Sequence, residues 1–240
     1  MLRSMEGTAR SAAARRLADQ VAGGVAPEPF VVELADWLDE ARMRAFVGAN
    51  APKVRHKLRA VAGDPEALRD VRAELAAAAA ILADRRFELG FETFAASGAG
   101  PDFTVTFRTV VTFTLEVTRR RGSLDGASVV DASLAKLRQL PPSVGNVVLV
   151  AGDGPVDAGS IADAMRLLRS RVDGRESAIL ARVRAQTPRA FYERFLRLSA
   201  VVAWSETAPT GERVAVWVNP SARHAPDGAA LRAIARRLAG

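Results

Sequence analysis

The sequence predicts an α/β protein built around a mixed sheet, and three observations carry this prediction. Segments 103–107 and 111–119 alternate apolar residues with threonine, glutamate or arginine, which is the period of a half-buried strand. Residues 146–150 form a short apolar run typical of a strand buried on both faces. Asp64-Pro65 is a strong helix start, with an N-cap aspartate followed by proline at the first helical position.

The composition narrows the classes of function. The chain has 240 residues, no cysteine and two histidines, which excludes a disulfide framework, thiolate chemistry and a cysteine-histidine zinc site. The net charge of +7 favours a polyanionic partner. The longest apolar run, residues 75–83, is too short to span a bilayer. We therefore expect a cytoplasmic protein that has no membrane partner.

The N-terminal part of the chain is predicted to lie outside the sheet. Residues 1–28 are rich in Ala, Arg and Gly with little periodicity, which predicts a flexible leader. Residues 29–64 form a predicted helical extension, with one helix over 30–46 and a short basic helix over 52–62.

The middle of the chain alternates helices and strands. The predicted elements are a helix over 65–84, strands over 86–94, 102–108 and 111–119, a helix over 128–140, and a strand over 146–150. Strands 102–108 and 111–119 are expected to pair, although no Gly or Asn marks the turn near Arg108-Thr109. Such a pair brings Asp102, which follows the Gly/Ser-rich stretch 97–100, and Glu116 to the same end of the sheet. Two converging carboxylates need a shared proton or a divalent cation.

The C-terminal part, residues 152–240, is predicted to extend the same domain. Residues 157–197 look helical throughout, and 198–205 and 213–218 have the pattern of two further strands of a hairpin. A final helix is expected over 227–238.

The element order over residues 65–151 resembles that of the PD-(D/E)XK, or restriction-endonuclease-like, nuclease superfamily. Its core runs helix, three-strand meander, helix, strand. The resemblance implies a three-layer α/β/α fold with a mixed central sheet, to which this chain adds a helical N-terminal extension and a C-terminal hairpin with helices.

The resemblance also implies a set of site residues. Asp102 and Glu116 would be the metal-binding acids, with Glu74 on the preceding helix as a third, and the ion would be Mg²⁺ or Mn²⁺. The family places a lysine two residues after the second acid, where this chain has Thr118. Some members supply the lysine from another element, so Lys136 on the following helix takes that role here. Gln139 is similar to a glutamine that some members carry on this helix.

The function implied is metal-dependent hydrolysis of phosphodiester bonds, with DNA expected rather than RNA. Five arginines are the predicted nucleic-acid contacts: Arg119, Arg120, Arg121, Arg166 and Arg169. Two alternatives stay open, a catalytically degenerate domain that only binds nucleic acid and a protein-assembly module. Whether the protein forms a homodimer also stays open.

Overall fold

The computed structural model describes residues 2–93, 100–207 and 212–240, with side chains from residue 12 onward. Most of the Gly/Ser-rich stretch before Pro101, and the predicted loop over 208–211, lie outside the described residues. The chain divides into two compact units, Met1–Arg85 and Arg86–Gly240. No helix in the described part of the chain is long and apolar enough to cross a bilayer.

The N-terminal unit is helical. Its helices are α1 (Leu2–Ala22), α2 (Glu28–Leu38), α3 (Ala41–Ala49), α4 (Ala51–Ala60) and α5 (Pro65–Leu82). Helix α1 packs against α2 and α4, and its residues Ala14, Ala18 and Val21 are buried. Residues 12–22 are thus a packed helix rather than part of a flexible leader. The prediction failed because each alanine buries little apolar surface, so the alanines gave no amphipathic signal. The small size of alanine nevertheless lets the helices approach closely.

Two predicted boundaries in this unit also differ. The single helix expected over 30–46 is two helices, α2 and α3, separated at Asp39-Glu40. Helix α5 contacts α2, α3 and α4 and belongs to the N-terminal unit, so the boundary between the units follows α5 instead of preceding it at residue 65.

Three arginines fix the ends of helices in this unit. Arg42 donates to the carbonyl of Leu82 at the end of α5, at 2.6 Å. Arg44 and Arg55 donate in the same way to carbonyls in the last turns of α2 and α1, at 2.6 and 2.7 Å. The last carbonyls of a helix have no intrahelical partner and carry the negative end of its dipole. A guanidinium donates hydrogen bonds to these carbonyls, and its positive charge interacts favourably with the dipole.

The C-terminal unit contains a six-stranded mixed sheet in the order β1-β2-β3-β4-β5-β6. The strands are β1 (Phe87–Phe91), β2 (Phe103–Phe107), β3 (Val111–Arg119), β4 (Gly145–Gly152), β5 (Leu198–Ser205) and β6 (Val214–Val218). The pairs β3–β4 and β4–β5 are parallel and the other three are antiparallel. The mixed α/β class is therefore confirmed, and the last two predicted strands do extend the sheet.

The predicted helices over 128–140 and 157–197 are shortened or divided in the structure, whereas the final helix has its predicted length. The helices of this unit are α6 (Gly126–Lys136), α7 (Ala158–Asp173), α8 (Ser177–Arg182), α9 (Pro188–Phe195) and α10 (Gly228–Ala239). The stretch 157–197 is thus three helices, and its breaks include Arg175 and Arg184 with φ of 57° and 50°. Helix α6 ends at Lys136, so Gln139 lies on the following turn and not on the helix.

One face of the sheet is covered by α6 and α7. Val148 and Val150 of β4 share a buried apolar cluster with Val129 of α6 and Met165 of α7. In β3, Glu116 pairs with Val148 and lies on this same face, because side chains at paired positions point the same way. The register of β3 against β4 therefore directs Glu116 toward the side on which α6 lies.

The turn between β2 and β3 forms without glycine. Phe107 pairs with Val111, and Arg108 and Thr109 both adopt the left-handed region, with φ of 52° and 61°. This conformation costs about 1–2 kcal/mol for each ordinary residue. The phenylalanine pairs between β1 and β2, such as Phe87 and Phe107 with ring centroids 4.8 Å apart, stabilise the meander that imposes this turn.

A buried asparagine joins β3 to the start of β4. The hydroxyl of Thr114 donates to Asn146 Oδ1 at 2.6 Å. The side-chain amide of Asn146 donates to the carbonyls of Pro141 and Arg197, each at 2.9 Å. Asn146 is fully buried, so these groups have no access to water as an alternative partner.

We predict that Asn146→Ala lowers the free energy of unfolding by about 2–4 kcal/mol, because it leaves a buried hydroxyl and buried carbonyls without partners. Urea denaturation measures this. Ser143→Ala, at an exposed position in the loop before β4, is the control and should change the free energy of unfolding by less than about 0.5 kcal/mol. Equal effects of the two substitutions would contradict the structural role of Asn146.

Candidate active site

Asp102 is held at the start of β2 by main-chain groups from both neighbouring strands. Its Oδ2 accepts a hydrogen bond from the amide of Val117 in β3, at 2.8 Å. Its carbonyl accepts one from the amide of Glu92, directly after β1, at 2.9 Å. The position of this carboxylate therefore follows from the pairing of the meander, and the half-buried side chain has little freedom to turn away.

Glu116 carries the most unusual carboxyl group in the sheet. The residue is 2% exposed. Its Oε1 accepts a hydrogen bond from Lys136 Nζ at 2.6 Å. Its Oε2 is buried and, within the described part of the chain, has no hydrogen-bond partner. A buried carboxylate oxygen without a partner is costly, so this atom favours a proton or a cation.

The electrostatics of Glu116 follow from this burial. Burial raises the pKa of Glu116 to about 7, and the nearby Asp102 carboxylate acts in the same direction. The Lys136 ammonium lowers this pKa, but by less than the other two effects raise it. Near neutral pH the carboxyl therefore exchanges readily between its protonated and its ionised form.

Lys136 completes the arrangement from the last turn of α6. Its ammonium contacts Glu116, and 24% of its side chain is exposed to solvent. We call these residues the Asp102–Glu116–Lys136 cluster. The structure thus brings three of the predicted site residues together, two acids from adjacent strands and one amine from the helix that follows them.

The donor set of the cluster suits a hard divalent cation. Among the described residues, no three His, Cys, Asp or Glu side chains converge as a metal site. Mg²⁺, however, is usually held by only one or two carboxylates, and water and substrate phosphate complete its coordination. Glu116 Oε2 has no hydrogen-bond partner within the described part of the chain, and a second carboxylate, that of Asp102, lies nearby, which matches this requirement.

Glu74 and Gln139 are placed differently from Lys136. Glu74 lies on α5 in the N-terminal unit, where its mostly buried carboxylate forms an ion pair with Lys57. This pair accounts for the burial of Glu74, and its role as a third metal ligand stays a prediction. Gln139 is half-buried on the turn after α6, and its main-chain N–H donates to the main-chain carbonyl of Lys136 at 2.9 Å.

All five predicted nucleic-acid-binding arginines already interact with other groups of the protein. Arg119 pairs with Asp153 at 2.9 Å, Arg120 with Asp131 at 3.1 Å, Arg166 with Asp163, and Arg169 donates to Asn219 at 3.0 Å. The fifth, Arg121, is exposed and also interacts with the rest of the protein. Phosphate contacts by these arginines would have to replace the existing interactions, so each would add less affinity than an unpaired arginine.

A polar surface that the sequence did not identify as part of the site lies beside the cluster. Thr104 and Thr106 of β2 and Thr112 of β3 share the sheet face of Glu116 and are half-buried or exposed. We call them the threonine face. The alternation of threonine with apolar residues is visible in the sequence, but it does not show which part of the sheet the helices leave uncovered.

We predict that the stability of the protein depends on the protonation of Glu116. Its folded-state pKa is raised above the ordinary value of 4.5 to about 7, so its stabilising contribution is complete below pH 4.5 and is lost as pH rises through 7. The unfolding free energy of the wild type relative to Glu116→Gln should therefore fall between pH 4.5 and pH 8, by on the order of 3 kcal/mol.

Urea unfolding at several pH values measures this difference. Glu88→Gln, which removes an exposed carboxylate from β1, is the matched control and should give a curve parallel to that of the wild type. A Glu116→Gln curve that is also parallel to the wild type would show that the carboxyl is not perturbed.

Comparisons with known proteins do not assign this chain to a family. No protein-family model, no curated protein and no solved structure matches this chain. Its function is therefore inferred from the chemistry of the Asp102–Glu116–Lys136 cluster and of the surfaces around it.

Proposed function

We propose that the protein is a Mg²⁺-dependent nuclease that hydrolyses phosphodiester bonds, with DNA as the expected substrate. The observation that carries the proposal is the 2.6 Å contact between Lys136 Nζ and Glu116 Oε1, next to Asp102. Two acids and an amine close together on the sheet are the residue types that the PD-(D/E)XK pattern requires. Here the amine comes from α6, and Thr118 occupies the strand position of the usual lysine.

We also propose that the C-terminal unit has the three-layer, restriction-endonuclease-like fold. The order of three antiparallel strands, a helix and a parallel fourth strand supports this, since β1 to β4 with α6 follow it. Further support comes from the burial of side chains on both faces of the sheet. The helices α6 and α7 cover the face that bears Glu116, and the phenylalanines of β1 and β2 are buried on the opposite face.

Asp102 and Glu116 would hold the metal ion. Bound Mg²⁺ lowers the pKa of a coordinated water and stabilises negative charge on the phosphate in the transition state. The Val117 amide orients the Asp102 carboxylate before any ligand binds, which reduces the cost of assembling the site. Glu116, buried and short of one hydrogen bond, gains more from a cation than a solvated carboxylate does.

Lys136 would supply the positive charge that Thr118 lacks. An ammonium near the scissile phosphate can orient the attacking water or stabilise the growing negative charge, whereas a threonine hydroxyl carries no charge. The exposed part of the Lys136 side chain gives it access to a substrate. The threonine face provides neutral hydroxyl donors for phosphate oxygens beside the cluster.

A second candidate function is nucleic-acid binding without catalysis. One observation favours it: Lys136 and Glu116 already form an ion pair, so the Glu116 carboxylate has a cationic partner without any metal. In a degenerate nuclease the same three residues would be purely structural. The net charge of +7 would still attract nucleic acid.

We predict that Asp102→Asn and Glu116→Gln each reduce the cleavage rate by on the order of 10³ or more, since each replaces a charged metal ligand by a neutral amide of the same shape. Single-turnover cleavage of labelled DNA and RNA in Mg²⁺ measures the rate. Glu88→Gln, on the same sheet face of β1, serves as the control and should keep the wild-type rate. Near-full activity in Asp102→Asn would refute the site.

Lys136→Gln separates the two candidate functions. For an enzyme, we expect the cleavage rate to fall by on the order of 10²-fold or more with unchanged DNA affinity, because the ammonium acts in the transition state. Arg138→Gln, which removes an exposed cation two residues away, is the control and should leave the rate intact. If wild-type protein binds DNA but no metal ion supports cleavage, the binding function is the correct one.

A further inference from the structure

Strand β6 forms one edge of the sheet and presents apolar side chains there. Within the described parts of the chain, β5 is its only neighbouring strand, and no isolated bridge reaches it. Val216 and Val218 are 38% and 47% exposed, although α10 packs against this strand. An exposed apolar edge strand is a liability in a folded protein, because its outer main-chain groups can pair with another chain.

The hydrogen bonds to β5 show which main-chain groups of β6 point outward. Asn219, directly after β6, donates its amide to a β5 carbonyl at 2.9 Å, and the carbonyl of Arg213, directly before β6, accepts from a β5 amide at 2.8 Å. In an antiparallel pair every second residue bonds to the neighbouring strand, and the residues between them point the other way. Three residues of β6 therefore direct their N–H and C=O groups away from β5, namely Val214, Val216 and Val218.

The β6 edge lacks the features that commonly prevent pairing between edge strands. The opposite edge strand, β1, carries the exposed carboxylate of Glu88, and a charge on an edge strand is one such feature. Residues 214–218 read Val-Ala-Val-Trp-Val and include neither a charged residue nor a proline. The pairing of β6 with β5 also has no bulge that would turn the edge away.

We propose that β6 pairs with β6 of a second copy of this chain, antiparallel and about a two-fold axis at Val216. In this register Val216 lies opposite Val216 of the second copy, and Val214 lies opposite Val218 of the second copy. All three residues have outward main-chain groups, so each of these pairs forms two main-chain hydrogen bonds. Pro220 ends the ladder because it has no N–H to donate.

The side chains of β6 are complementary to themselves in this register. On one face of the sheet, the exposed valines of the two copies lie opposite one another and cover each other's apolar surface. On the other face Trp217 lies opposite Ala215 of the second copy, so a large side chain meets a small one at a pair where side chains approach closely. The nearest charge, that of Arg213, lies opposite Asn219 of the second copy, so no like charges oppose each other.

A second copy fits this edge better than an unrelated extended peptide does. Such a peptide can bond to the outward main-chain groups, but its side chains need not match those of Ala215 and Trp217. Two-fold pairing uses the same strand twice and closes after two copies, so neither β6 edge stays exposed. The expected assembly is therefore a dimer and not an open chain of molecules.

This inference goes beyond the proposed nuclease function and does not depend on it. Strands β4 and β5 separate β6 from β3, which carries Glu116. Asp102→Asn should therefore dimerise as the wild type does, so that failure of the nuclease proposal and failure of this one are distinguishable. Sedimentation velocity of the full chain, at protein concentrations from about 5 to about 200 µM, gives the dissociation constant of the dimer.

We expect the wild type to dimerise within this range of concentration. Val216→Lys should weaken the dimer by on the order of tenfold or more, because two ammonium groups then lie opposite each other at the axis. Val216→Glu should weaken it similarly. An equimolar mixture of the two variants should recover the dimer, since each lysine then lies opposite a glutamate.

The matched control is Val110→Lys, which makes the same change at a valine that is 83% exposed on the turn between β2 and β3. It should leave the dissociation constant of the dimer unchanged within about twofold. Circular dichroism and thermal unfolding show whether each variant is folded, and recovery of the dimer in the mixture cannot come from unfolded protein.

Three results would overturn the inference. The wild type stays monomeric at the highest concentration or forms assemblies larger than a dimer, which shows that the edge does not pair with itself about a two-fold axis. Val216→Lys dimerises as well as the wild type, which places the interface on another surface. Folded Val216→Lys and Val216→Glu, each monomeric alone, fail to dimerise when mixed, which excludes the pairing of Val216 with itself.

Discussion

The burial of one carboxyl group, that of Glu116, is the constraint on which the candidate site depends. A glutamate on the helix-covered face of a sheet loses its hydration, and a second carboxylate next to it makes ionisation still harder. Among the described residues, only the Lys136 ammonium donates a hydrogen bond to the Glu116 carboxylate, and Oε2 receives none. This arrangement has a clear chemical use if a cation joins it, and costs stability if none does.

The surrounding elements fix these groups in place. Antiparallel pairing of β2 with β3 sets Asp102 against the Val117 amide, and parallel pairing of β3 with β4 requires a crossover, which α6 provides. That crossover brings Lys136 over the face that bears Glu116. Asn146 joins β3, the loop after α6 and the chain before β5 through buried hydrogen bonds. The positions of Asp102 and Glu116 thus follow from the sheet register, and α6 sets the position of Lys136.

Strands β1, β2 and β3 were predictable because each has a strong period of two, and this period also places Glu116 and the threonines on one face. Strand β4 was predictable from its continuous apolar run. The pairing of Asp102 with β3 and the contact of Lys136 with Glu116 are consistent with the expected site. Other features depend on tertiary contacts that a sequence pattern does not encode. The alanines of α1 gave no amphipathic signal, α6 ends one turn early, and the ion partners of Arg119 and Arg120 come from residues distant in sequence. The left-handed Arg108 and Thr109 lack the glycine or asparagine that usually marks such a turn.

The most direct measurement is isothermal titration of Mg²⁺ at pH 7 into the wild type and into Asp102→Asn/Glu116→Gln, in two buffers with different ionisation enthalpies. A pKa of about 7 for Glu116 means that an ion bound by its carboxylate displaces about half a proton. The wild type should then bind one or two ions with buffer-dependent heat, and the double variant should bind none. Absence of binding by the wild type, or equal binding by the variant, would contradict the assignment of Asp102 and Glu116 as a metal site.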